Sequence, residues 1–190
     1  MEVVGGILGA FGLSASAGLN AYIPLLTVAL LAKFTPLLNL NGRWEALTSW
    51  WVIGVLAVLA AVEFVADKVP AVDHVNDAIQ TFIRPVAGAI VFAASTNAIK
   101  DVSPILSLIA GLFVAGSVHT VKSAAVRPLV TASTAGMGDP VVSFIEDILA
   151  TLVSVLSVVM PILMLIVLVL VIWWIATWLG NRKRAKAVSQ

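Results

Sequence analysis

Glu63, Asp67, Glu146 and Asp147 fall within or beside long apolar runs. An ionised side chain near the middle of a membrane helix costs about 2.5–3.5 kcal/mol on insertion scales, and such groups usually face a partner or a cavity. Glu63 and Asp67 are four residues apart and share a helix face. Two nearby carboxylates can hold a cation, or one can keep a proton at neutral pH. The same chemistry extends to Glu146 and Asp147, and these four form the expected ion- or proton-binding set. The competing reading places them at span ends among the headgroups, paired with Lys68 or Arg84. His119 and Lys122 lie three apart, also on one face. They can meet an anionic group or pass a proton, or simply cap and snorkel at an interface. With Asn20 and Tyr22 they form the expected solute-contact set. His74 and Asp77 carry the same ambiguity, and two histidines are too few to assign a metal. Arg84, just before Pro85, reads as an interfacial anchor. A phosphate or lipid-headgroup contact is the sharper alternative for Arg84 and Arg127.

Other chemistries are poorly served. The chain has no cysteine, which removes disulfides, thiol catalysis and thiolate metal sites. It carries no P-loop, dinucleotide fingerprint, HExxH motif or nucleophile elbow. The GLSASAG run lacks the lysine and the strand–helix setting of a phosphate cradle. No cofactor and no nucleic-acid partner are expected.

The elements that must position these residues are membrane helices. Of 190 residues, 61% are hydrophobic and 11% charged, and the mean hydropathy is +1.08. Soluble domains hold about 45–50% apolar and about 25% charged residues. The excess fits a bilayer as solvent, in a single integral membrane domain over 1–190. Spans of about 20 residues are expected at 4–32, 50–66, 86–99 and 105–121. Two more are expected over 141–179, meeting in a tight turn near Pro161. One continuous helix there would be about 58 Å long, almost twice the hydrocarbon thickness.

Span one is crowded with Gly12, Ser14, Ser16, Gly18 and Asn20, which suits close helix packing or a broken helix lining a cavity. Residues 34–49 and 131–140 read as loops. Residues 71–83 alternate Val72, Val75, Ile79 and Phe82 with Asp73, Asn76, Asp77 and Gln80. That pattern predicts a short amphipathic helix lying on the membrane surface, ended by Pro85.

Four of eleven basic residues (Arg182, Lys183, Arg184 and Lys186) lie in the tail at 181–190, and seven face ten acids elsewhere. Trp173, Trp174 and Trp178 precede the tail as an interfacial belt. The positive-inside rule makes the C-terminus cytoplasmic, and six spans then place the N-terminus there too. The N-terminus lacks a basic n-region, so the first apolar segment is expected to remain as a span.

Gly12 to Asn20 pairs with Gly111 to His119 at an offset of 99 residues. Phe64 and Asp67 pair with Phe144 and Asp147 at an offset of 80. Halves at 1–100 and 101–180 would form a 3+3 inverted repeat, a recurrent transporter plan.

Three strings, GLSASAGLNAYIP (12–24), VEFVADKVP (62–70) and TFIRPVAG (81–88), together with SFIED (143–147), resemble bacterial membrane proteins grouped as domain of unknown function 4126. The resemblance covers nearly the whole chain. It implies a multi-pass protein of the bacterial inner membrane and brings no activity and no catalytic residues.

The leading expectation is a small transporter or channel-like carrier for a small solute or ion. Its partners would be the bilayer and that solute, with a homo-oligomer as an open option. The alternatives are a membrane-embedded enzyme acting on lipid phosphates and a structural or assembly protein.

Overall fold

The computed structural model describes residues 2–68, 70–97, 99, 102–134 and 137–163, with isolated positions at 166, 169, 170, 173 and 177; at 2 and 70–75 it describes backbone only. The basic tail, Trp174, Trp178, and the side chains of Asp73 and His74 lie outside the described residues, as does most of the span expected after Pro161.

Every regular element among the described residues is helical. In order these are α1 (Glu2–Leu19), α2 (Tyr22–Phe34), a 3-10 segment (Gly42–Thr48), α3 (Trp50–Ala66), α4 (Pro70–Thr96), α5 (Pro104–Val121), a π-helical segment (Lys122–Val126), α6 (Arg127–Thr134) and α7 (Asp139–Val159). Three helices, Asn76–Thr96, Pro104–Thr134 and Asp139–Val159, are long and apolar enough to cross a bilayer. The 3-10 segment with α3 adds a fourth if that pair, bent by 62°, is one span.

The distribution of side chains is that of a membrane protein. Arg84, Glu63, Asn20, Ser14 and Ser16 are buried, whereas Trp51, Phe82, Leu129, Ile105 and Phe113 stand on the outside. A soluble monomer rarely exposes a contiguous apolar surface of this kind. α7 shows the logic in one helix. Ser143, Glu146, Asp147, Ala150, Ser154 and Ser157 recur at helical spacing and face inward, while Val141, Phe144, Ile145, Ile148 and Leu152 face outward.

Span one, expected as one helix over 4–32, is two. α1 ends at Leu19 and α2 begins at Tyr22. The chain reverses there: the start of α1 and the residues after α2 (Pro36–Asn39) line the same cleft, along with Ile99 and Pro161. α1 and α2 therefore form a helical hairpin whose corner is Asn20–Ala21. The close-packing reading holds, and the helix does break, but the break is met by Asp147 and Glu63 rather than by a cavity. The corner breaks the helix, and Gly18 lets α1 approach α5 so closely that a Cβ there would sit 2.6 Å from the Ala115 carbonyl oxygen.

α4 corrects the reading of 71–99 as a surface helix, a break and a short span. It is one helix of 27 residues, with Pro85 in its interior. Neighbouring helices can accommodate a proline in a membrane helix, and this ring faces Gly116 of α5 at ordinary packing distance. The amphipathic pattern is real but turned inside out. Gln80 is buried, and Ile79 and Phe82 are exposed. The polar face meets the protein interior because the apolar face meets lipid.

The loop expected at 131–140 is also shorter than expected. Helix continues from α5 through the π segment to Thr134 and resumes at Asp139. At Met160 the backbone leaves the helix (φ −139°, ψ 66°), one residue before Pro161.

Candidate functional site

The hairpin corner is held by side chains from three other helices. Asn20 supplies its own cap: its Oδ1 accepts from the backbone N–H groups of Tyr22 (3.1 Å) and Ile23 (3.0 Å). Those are orphan donors of the first turn of α2. Its Nδ2 donates to Asp147 Oδ1 at 3.0 Å. Glu63 Oε2 of α3 accepts from Ala21 N–H at 3.2 Å. Lys122 Nζ donates to the Leu19 carbonyl at 3.2 Å. An anion thus sits at the start of α2 and a cation at the end of α1, as the helix dipole favours.

Behind the corner lies a network of ion pairs. Arg84 of α4 is fully buried and donates to Glu63 Oε1 at 3.0 Å. It lies 3.7 Å from Asp67 and 3.9 Å from Asp77. Arg127 meets Asp77 at 2.8 Å and lies 3.7 Å from both Asp67 and Glu146. Lys122 contacts Glu146 at 2.7 Å, and Lys68 contacts Asp147 at 3.1 Å. Asn76 donates to Asp67 Oδ1 at 2.5 Å. Ser143 receives a bond from Arg127 at 3.2 Å and donates to the Asp67 carbonyl at 3.3 Å.

His119 joins the network in a defined tautomer. Arg84 Nη1 lies 3.1 Å from its Nδ1, and Thr81 Oγ1 lies 3.1 Å from its Nε2. A guanidinium can only donate, so Nδ1 is the acceptor. Thr81 already donates its proton to the Asp77 carbonyl, so Nε2–H is the donor to Thr81.

The π segment explains how two cations reach one cluster. In an α-helix, residues five apart point about 140° away from each other at about 100° per residue. Lys122 and Arg127 are five apart. The wider i→i+5 turn, closed by Arg127 N–H on the Lys122 carbonyl, brings them round to nearly the same face.

Three helices place the network at a similar distance from the end of the bundle that carries Phe34, Trp50 and Thr96. Glu63 is thirteen residues into α3 from Trp50, Arg84 is twelve residues before Thr96, and α2 has thirteen residues between its corner and Phe34. At 1.5 Å per residue each gives about 18–20 Å.

The expected ion-binding set of Glu63, Asp67, Glu146 and Asp147 therefore converges, and all four are buried. Asn20, His119 and Lys122 lie in the same cluster, and Tyr22 is half-buried beside the corner. Two expectations need correction. Arg84 is 0% exposed, and Arg127 is also buried. Their polar partners include carboxylates of the protein, so neither is a headgroup anchor. The snorkelling reading of His119 and Lys122 falls for the same reason. Asn76, Gln80, Thr81 and Ser143 were not singled out, and Asp77 was only ambiguous. Their signal was the spacing Asn76, Gln80, Arg84 and Asp77, Arg84 on one face of a helix that does not stop at Pro85. Among the described residues, no three His, Asp or Glu side chains converge as a metal site requires.

Outward apolar helices around an inward ionic cluster define a polytopic helical membrane protein. The chain belongs to the DUF4126 family: the model of that family, described as a domain of unknown function, matches residues 7–181. No curated protein and no solved structure matches it.

Proposed function

We propose that this chain is a small carrier or channel-like protein of the bacterial inner membrane, in which the buried acids hold a proton or small cation. The observation that supports this most is the hairpin corner. Discontinuous helices whose ends meet ionic groups deep in the membrane are how many transporters build their sites. Here Glu63 binds both Arg84 and the backbone of the corner at Ala21. Protonating Glu63, or drawing its charge toward a passing cation, loosens both contacts at once. Asp147 and Lys122 hold the corner from the other sides, and Asp67 bridges the two arginines. Asn20, His119 and Lys122 direct their polar groups into the network, so any contact they make with solute accompanies its opening.

The proposal keeps the C-terminus cytoplasmic, on the strength of the basic tail, but not the count of six spans, because the α1–α2 hairpin returns to the face it started from. It does not need an inverted repeat. α1 and α5, paired by the offset of 99, both run toward the network, which is the sense of a parallel repeat.

The test is ion flux. Purified protein is placed in vesicles loaded with a pH-sensitive dye and a small-molecule cell extract, and proton or sodium gradients are imposed. Flux above that of empty vesicles is expected, with loss in Glu63→Gln and reduction in Asp67→Asn and Asp147→Asn. Flux equal to that of empty vesicles, or unchanged in all three variants, rejects the carrier and leaves a packing role as the default.

A further inference from the structure

A cleft of about 1040 Å³ opens at the face opposite the network. It runs between the start of α1, the residues after α2, the end of α4 and the end of α7, and its inner wall reaches Leu13. Seven residues of α1 separate Leu13 from Asn20, about 10 Å along the helix. Buried Ser14, Ser16 and Ala17 fill that interval. The cleft and the ionic corner are thus two places joined by one helix.

We propose that this cleft is the solute vestibule and takes an uncharged, largely apolar molecule with at least one hydrogen-bonding group; the inference rests on the carrier reading. Three observations carry it. Among the described residues, none that lines the cleft is ionisable. A charged solute would lose hydration against these walls with no described side chain of opposite charge to compensate it. Ser95 lies on the wall with its Oγ buried and without a hydrogen-bond partner, although buried hydroxyls are ordinarily bonded. The volume lies just above the usual range of small-molecule pockets, about 300–1000 Å³. The solute and the ion therefore bind apart, and the acids act on the solute only through α1 and the corner.

The probes are a matched pair. N-phenyl-1-naphthylamine is neutral, apolar and carries one N–H, whereas 1-anilinonaphthalene-8-sulfonate adds a negative charge to the same rings. Each is titrated by fluorescence onto the purified full chain in lipid nanodiscs, with empty nanodiscs subtracted. Saturable binding of the neutral probe, near one per chain, is expected, with binding of the sulfonate at least tenfold weaker. Leu37→Trp, at an exposed position on the cleft rim, should abolish saturable binding. Ser95→Ala should weaken the neutral probe about three- to tenfold, the value of one hydrogen bond, without lowering thermal stability. Equal binding of the two probes overturns the proposal. So does an unchanged Leu37→Trp, an unchanged Ser95→Ala, or no saturable signal, which means that the cleft holds only lipid chains. The ion-flux test separates the two readings: flux that needs Glu63 without probe binding keeps the carrier and removes the vestibule.

Discussion

At the residue scale, Arg84 and Glu63 are the pair on which the cluster depends. Both side chains are fully buried. Removing one partner of a buried pair leaves an uncompensated charge and costs about 3–5 kcal/mol, whereas replacing both with well-packed apolar groups can be nearly neutral. Arg84→Met is therefore expected to lower the unfolding temperature sharply in detergent. The double variant Glu63→Leu/Arg84→Met should recover much of that loss. A double variant no better than Arg84→Met would show that the two do not act as a pair. Asn20 yields a second prediction. Asn20→Asp keeps the cap on α2 but sets a carboxylate against Asp147, where the amide now donates. It should destabilise more than Asn20→Ala, which loses a cap worth about 1 kcal/mol. Thermal unfolding of the two variants side by side decides it.

At the element scale, the helix crossings depend on missing side chains. α4 and α5 cross where Gly88 faces Gly111, and a Cβ on Gly111 would lie 2.8 Å from the Ala89 Cα. Backbone cannot yield there as a flexible side chain can. Gly111→Ala should cost about 1–3 kcal/mol through overpacking. Gly116→Ala, whose Cβ would stand 3.7 Å from the Pro85 ring, should be nearly neutral. The two variants sit five residues apart on the same helix, so helix propensity cancels and the difference in thermal stability reports the crossing alone. The π segment is a second element-scale device. Deleting one residue within 123–126 should restore α-helical register while leaving Lys122 and Arg127 four apart on one helix face, so it should keep the Arg127–Asp77 pair and destabilise the cluster less than Arg127→Ala. Circular dichroism with thermal melts would measure this.

At the scale of the whole molecule, the hairpin sets the topology. Both ends of the α1–α2 unit lie at the face that carries Trp50 and Thr96, and the network lies toward the other. The chain has no native cysteine, so single cysteines report sidedness without background. Cysteines at Val3 and Asn41 should react with a membrane-impermeant maleimide from the same side, and one at Met137 from the opposite side. Labelling of positions 3 and 41 from opposite sides would mean that span one crosses once.

Composition and hydropathy alone determined that the chain is a helical membrane protein. The charges in its apolar runs also marked the residues that cluster, because ionised groups in lipid must find partners wherever the fold provides them. Glu63, Asp67, Glu146 and Asp147 were legible for that reason. What only the tertiary structure decided was direction and partnership. Periodicity cannot distinguish a bend from a reversal at Asn20, since both leave the same apolar helices on either side. It cannot tell which way an amphipathic face looks, because in a bilayer an apolar side such as that of Ile79 and Phe82 turns outward. Nor can it see that Pro85 is accommodated, since the ring packs against a partner helix, near Gly116, that only the fold brings beside it. The ion pairs join residues as far apart in sequence as Lys68 and Asp147, and only the packing of one helix against another brings them within reach.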